Sequence, residues 1–287
     1  MSSSKLWLVY ALTTTICWGI WGAFIEIPEK AGFPATLGYS VWAITMLPCA
    51  LIALYNIKWK LEKDIRSVLL GCAVGITGSG GQLLLFQALR RGPAYIVFPL
   101  VSMFPIISIF LSVVFLKERA SGRQWLGILV ALVAIFCLSY QQSAGNGSTG
   151  FGWLILSVFV FILWGIQAYI MKFSNTVMKA ESIFFYMTIT ALLLVPVAIA
   201  MTDFSSPVNL GFKGPYLAAM IHILNAIGAL TLVYALRYGK AMIVVPVTGL
   251  SPLITIVISL LLYRIIPGPI LTTGVAFAAL GLYLLSE

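Results

Sequence analysis

Runs of about twenty apolar residues alternate along the whole chain with short polar stretches. They fall at roughly 6–26, 36–56, 67–87, 95–116, 125–140, 151–172, 183–202, 212–234, 242–263 and 270–285. A membrane-spanning helix takes ~20 apolar residues, so the pattern predicts an all-α integral membrane protein with ten transmembrane helices. The fifth and tenth runs are short for a bilayer. Ten helices and their loops use nearly all of the 287 residues, which leaves no appended soluble domain. The run from Leu6 to about Ile25 lacks a small-residue cleavage site and reads as a first helix, not a removed signal peptide.

The runs repeat. At a shift of 147, Ala88–Lys117 lies over Ala235–Arg264 without a gap, and twelve of the thirty positions are identical. Pro99 and Pro105 fall on Pro246 and Pro252, and Gly127 falls on Gly274. Trp18-Gly19-Ile20 matches Trp164-Gly165-Ile166 at a shift of 146. The chain therefore divides into a first five-helix repeat, 1–140, a second, 151–287, and a Gly- and Ser-rich linker, 141–150. Five is odd, so the second repeat enters the membrane from the opposite side. Two inverted repeats provide two nearly equivalent packings, one open to each face, with a binding site between them near the midplane. This arrangement points to a secondary transporter, with a non-transporting membrane scaffold or receptor as the alternative.

Composition narrows the reading. The chain is 61% hydrophobic and 9% charged, against roughly a quarter charged in a soluble domain. Its formal charge of +9 would suggest nucleic acid in a soluble protein. Here the basic residues sit in short loops, so the expected partners are a lipid bilayer and a small molecule, with no nucleic acid. With the N-terminus inside, cytoplasmic segments hold 12 of the 17 basic residues, which favours two cytoplasmic termini. Cys17, Cys49, Cys72 and Cys137 lie in apolar runs without CxxC spacing and read as packing residues, not metal ligands.

The five-plus-five helices, the Trp-Gly pair in the first helix of each half, and Leu116-Lys117-Glu118-Arg119…Gln124…Gly127 resemble the EamA-type branch of the drug/metabolite transporter superfamily. The resemblance covers the full chain. It implies alternating access around a central cavity in a bacterial cytoplasmic membrane, an amino acid, sugar or other metabolite as substrate, and a monomer or homodimer. It also implies that the fifth and tenth helices stand behind the cavity. The second half departs from the pattern: Tyr263-Arg264-Ile265-Ile266 stands in place of Leu-Lys-Glu-Arg, so Glu118 reads as a loop anchor.

Polar groups at membrane depth are costly and mark candidate sites. In the eighth helix Ala218, Ala219, His222, Asn225, Ala226 and Ala229 share one stripe at helical spacing. His222 is the single histidine of the chain. It reads either as a hydrogen-bonded packing residue or as a cavity residue that contacts substrate. In the third helix, the repeat partner, Gly71, Gly75, Gly78, Gly80 and Gly81 precede Gln82, a further substrate candidate. Trp18 and Trp21 share a face of the first helix with Thr14, Thr15 and Gly22, and Trp164 and Gln167 share the matching face of the sixth. Indole rings there can wall a pocket or pack the bundle. Ser102, Thr248 and Ser251 add hydroxyls. Pro99, Pro105, Pro246 and Pro252 are candidate gating joints, because proline frees the carbonyl four residues earlier, here Val101 and Thr248.

Every Asp and Glu lies in a loop or at a span end, and no Lys or Arg sits mid-span. A phosphorylated substrate would want a buried cation and a cationic one a buried carboxylate, so the expected substrate is neutral or zwitterionic: an amino acid or derivative, with a sugar next. No nucleophile–base pair, metal cluster or phosphate loop is in sight, so neither catalysis, a cofactor nor a metal is expected.

Overall fold

The computed structural model describes residues 5–92, 94–139, 151–263 and 268–286. Ten segments of the described residues are long and apolar enough to cross a membrane. They are α1 (Leu6–Lys30), α2 (Ala35–Asn56), α3 (Ile65–Arg91), α4 (Ile96–Phe115), α5 (Gly122–Ser139), α6 (Gly152–Ser174), α7 (Ala180–Ala200), α8 (Phe212–Tyr238), α9 (Ala241–Ile258) and α10 (Pro269–Ser286). The expected linker 141–150 and the Arg264-Ile265-Ile266 stretch lie outside the described residues.

Local chemistry explains where these helices begin and break. Asp64 caps α3 by accepting the Ser67 N–H at 3.0 Å. The chain of α4 is interrupted between Ala94–Ser102 and Pro105–Phe115, and that of α9 between Ala241–Thr248 and Ser251–Tyr263. Each break stands just ahead of a repeat-matched proline, whose ring cannot donate to the preceding turn. The Val101 carbonyl, expected to be free, accepts the Phe104 N–H at 3.0 Å. The break has tightened into an i→i+3 turn and left that oxygen bound.

The repeat extends to individual contacts. Trp18 Nε1 donates to the Asn225 carbonyl at 3.3 Å, and Trp164 Nε1 to the Gly78 carbonyl at 3.2 Å. Gly19 meets Ile254, and Gly165 meets Ile107. Thr255 donates to the Gly19 carbonyl at 2.8 Å, and Ser108 to that of Gly165 at 3.0 Å. Trp7 covers Gly239 as Trp153 covers Gly92. The α5–α10 pair is self-matching: Gly127 packs on Leu284 and Leu285, and Gly274 on Cys137 and Leu138. In every case the two contacts are related by the shift of 146 or 147, and a side chain at these glycines would keep the helices apart.

Candidate functional site

The pseudo-symmetry is broken by a cavity of about 1660 Å³. Its wall comes from the later turns of α1 and α3, the first turns of α2, α8 and α10, the first half of α4, the second half of α9 and the last turn of α5. All of these lie toward the end of the bundle away from Leu6 and Ser286. The cavity is larger than the ~300–1,000 Å³ of an enclosed small-molecule pocket, in keeping with a mouth that opens at that end.

The opposite, terminal end is closed by hydrogen bonds between spans. Thr14 Oγ1 lies 2.8 Å from Thr231 Oγ1 and donates to the Gly228 carbonyl at 3.1 Å. Thr15 donates to the Val247 carbonyl at 3.2 Å. Tyr234 donates to Glu181 at 2.8 Å, and Tyr10 stacks on the rings of Tyr234 and Tyr238. Both carboxylate oxygens of Glu118 accept the first N–H groups of α9, from Ala241 at 2.9 Å and Met242 at 3.0 Å. Lys172 Nζ donates to the last carbonyls of α8, Leu236 at 2.9 Å and Gly239 at 2.6 Å. An anion at a helix N-terminus and a cation at a C-terminus each complement the helix dipole. The α8–α9 turn is thus held from both sides, and the loop-anchor reading of Glu118 has a definite partner.

Seven of the expected polar, aromatic and proline residues line the cavity: Trp18, Trp21, Gln82, Ser102, His222, Ser251 and Pro252. His222 is 5% exposed, and its Nδ1 accepts the Trp21 indole N–H at 3.1 Å. Its Nε2 is buried without a partner among the described residues and lies beside Gly38. Asn225, one turn on, accepts the Trp42 indole N–H at Oδ1, 2.9 Å away. Trp42 and Tyr39, both from α2, line the cavity, and sequence reasoning passed them over. A tryptophan within a span, the signal that singled out Trp18 and Trp164, was available at Trp42. Ser139, with a buried hydroxyl lacking a partner among the described residues, Thr36 and Thr255 add further hydroxyls to the lining.

The other expected residues lie elsewhere. Trp164 and Gln167 do not face the cavity; they pack on Gly81 and Gly78 of α3. The Thr248 side chain is buried, its hydroxyl donating to the Val245 carbonyl at 3.1 Å. Pro99, Pro105 and Pro246 are buried in the bundle. The cavity wall therefore includes α2 and omits α6, whereas the sequence placed candidate residues on the sixth helix and none on the second. The physical reason is that only one end is open, so matched residues of the two repeats have different surroundings. α5 and α10 are not wholly behind the cavity either, since Leu138, Ser139 and Pro269–Leu271 reach its wall.

Charged side chains on the lining are Glu26, Glu29, Lys30, Arg90 and Asp203, all near the mouth. Outside the spans, hydrogen bonds from Ser205 hold the Asp203 carboxyl below the usual carboxylate range. The deep wall is aromatic and neutral: Trp18, Trp21, Tyr39, Trp42, Gln82, Ser102 and His222. Such a wall can bind by ring faces and hydrogen bonds. Among the described residues no group of three His, Cys, Asp or Glu could hold a metal ion.

The model of the EamA-like transporter family matches twice, over residues 5–140 and 151–287. An uncharacterized protein of Methanocaldococcus jannaschii is 29% identical over 136 residues, 47% of this chain and 97% of that protein. That relative is therefore about the size of one repeat. An uncharacterized transporter of Archaeoglobus fulgidus is 32% identical over 148 residues, which span about half of each chain, 49%. A protein chain of known crystal structure superimposes with a TM-score of 0.76 at 15% identity, covering 96% of this chain and 97% of that one. That likeness establishes the fold alone. With both of its repeats matched, the chain belongs to the EamA-like transporter family and is a ten-span integral membrane transporter.

Proposed function

We propose that the protein is a secondary transporter that moves a small neutral or zwitterionic metabolite across the cytoplasmic membrane by alternating access. An amino acid or derivative comes first and a sugar second. The observation that carries this reading is one pair of helices in two states. At the terminal end, Pro105–Phe115 of α4 packs against Ala241–Thr248 of α9. At the other end, their repeat equivalents stand apart as cavity walls, with Phe98 and Ser102 on one and Ser251, Pro252, Thr255 and Ile256 on the other. Exchanging the two conformations between the repeats turns an outward cavity into an inward one. The broken helices at Pro105 and Pro252 are the joints of that exchange, with Pro99 and Pro246 shaping the same segments.

Twelve basic residues, among them Lys58, Lys60, Lys63, Arg66, Lys117 and Arg119, cluster at the closed end. By the positive-inside rule that end is cytoplasmic, so the cavity opens outward. A neutral deep wall supports a substrate without net charge. Purified protein in liposomes, given labelled amino acids and sugars, tests the function: accumulation or counterflow of at least one is expected. Stoichiometric binding with no flux for any ligand would favour the receptor alternative. Gly147→Cys in a cysteine-free background tests orientation, and labelling from the cytoplasmic side alone would overturn it.

A further inference from the structure

His222, which lines the cavity, and Asn225, one turn deeper beside the lining Trp42, each carry an acceptor atom and at least one donor, and they stand three residues apart on one face of α8. An indole N–H can only donate. Trp21 spends its N–H on His222 Nδ1 at 3.1 Å, and Trp42 spends its own on Asn225 Oδ1 at 2.9 Å. Trp18 gives its N–H to the Asn225 carbonyl at 3.3 Å. The acceptor nitrogen of His222 is therefore consumed, and the side-chain oxygen of Asn225 already holds one donor. An accepting Nδ1 fixes the neutral imidazole as the Nε2–H tautomer. What remains is donors: His222 Nε2–H, buried and unpartnered, and the amide nitrogen of Asn225.

We propose that Trp21 and Trp42 are positioning residues that leave His222 and Asn225 of α8 as a donor subsite for an oxygen acceptor of the substrate, a carboxylate. This rests on reading the cavity as the transport site. A carboxylate only accepts and has two oxygens for two donors, whereas an ammonium would find no free acceptor on His222. Nε2 lies beside Gly38, whose missing Cβ leaves it uncovered on that side. The buried donor is costly while unpaired, so an entering oxygen gains what the empty cavity forgoes. The other repeat lacks the device: at the same shift Gly75, Gly78 and Ile189 stand for His222, Asn225 and Trp42. The subsite exists once, so the pseudo-symmetric cavity holds its ligand in a single orientation.

The single histidine makes the test direct. In protein labelled with 15N-histidine, the ring nitrogens at neutral pH should report a bare Nδ1 and a protonated Nε2. Trp21→Phe should give a mixture of tautomers with the fold retained. Added acetate should shift the Nε2 resonance, and tetramethylammonium should not. Trp42→Phe should weaken the acetate response about 5- to 150-fold, the range for one lost buried hydrogen bond. His222→Gln, which keeps an acceptor for Trp21 and donors for the ligand, should bind acetate within a few-fold of wild type by calorimetry. A protonated Nδ1 in the wild type, a single unchanged tautomer in Trp21→Phe, or silence toward acetate would each overturn the proposal. An intact tautomer and acetate response in a protein that moves no solute in liposomes would instead sink the transport reading and leave the subsite standing.

Discussion

The two ends of the bundle are built from matched residues, yet one is closed and the other open. The contrast sits in α3 and α8. At the closed end α3 presents Gly71 to Tyr186, Gly75 to Thr190 and Gly78 to Gln167, all in direct contact. At the open end the equivalents on α8 are Ala218 and His222, which line the cavity, and Asn225, which accepts the indole N–H of Trp42 from α2. Glycine lets helix backbones meet, while an imidazole and an amide hold them apart and need partners of their own. The duplicated backbone carries the two packings. The substitutions at three positions of one helix turn one of the two clefts into a site.

The largest effect is expected where closure depends on a missing side chain. A Cβ at Gly75 would overlap Thr190 Oγ1 and crowd the Met187 backbone. Gly75→Leu should therefore force α3 and α7 apart and cost about 3 kcal/mol or more of the closed packing. The melting temperature in detergent should drop by many degrees. Gly80, with nothing within 4 Å of an added Cβ, is the matched control, and Gly80→Ala should be neutral or gain up to ~1 kcal/mol. Equal losses in both variants would mean that α3 needs glycine for reasons other than the contact with α7.

The Glu118 tether comes next. Removing its half-buried carboxylate leaves the first N–H groups of α9 without their partner, a loss of about 1–3 kcal/mol for charge-assisted hydrogen bonds at a helix N-terminus. The open end has no such group at the matching place, because Ile265 aligns with Glu118 and Glu26 with Lys172. Glu118→Ala should thus favour the inward-open state. In a background without the four native cysteines, a Ser251→Cys reporter on the cavity wall should react faster from the terminal side. Unchanged sidedness of labelling would show that the tether is a local cap and no part of the gate.

Smaller still is the expected effect of the joints. Pro105→Ala and Pro252→Ala restore a backbone donor at each break and should stiffen α4 and α9. Transport should slow by several-fold while ligand affinity changes little. Wild-type turnover in both variants would make the prolines architectural.

The ten spans and the inverted repeat were legible because membrane length and gap-free self-similarity are one-dimensional signals. His222, Trp18, Trp21 and Gln82 were legible as polar or aromatic groups at membrane depth. Which of two matched positions faces the cavity was not, because that depends on which end of the bundle is open. Trp164 and Gln167 carry the same sequence signal as Trp18 and Trp21, yet they pack on glycines. The Trp21–His222 and Trp42–Asn225 pairs join residues 201 and 183 positions apart, and no local pattern announces such a pairing.

The weakest lever on the closed end is the start of α3. Asp64 is solvent-exposed, and hydrogen bonds from Ser67 hold its carboxyl below the usual carboxylate range. A folded-state pKa depressed in this way contributes stability that is present above the unfolded value and is lost as pH falls through the folded one. Asp64→Ala should accordingly lower the melting temperature slightly at pH 7. The difference from wild type should shrink as pH falls through the carboxylate range and vanish once the acid is protonated in both states. Ser67 also accounts for the sign, because its main-chain N–H binds the ionised carboxylate more strongly than the neutral acid. A gap between the two proteins that stays constant with pH would show that Asp64 acts through packing, and that the end of the bundle closed by Glu118 and Lys172 draws nothing from the charge on this cap.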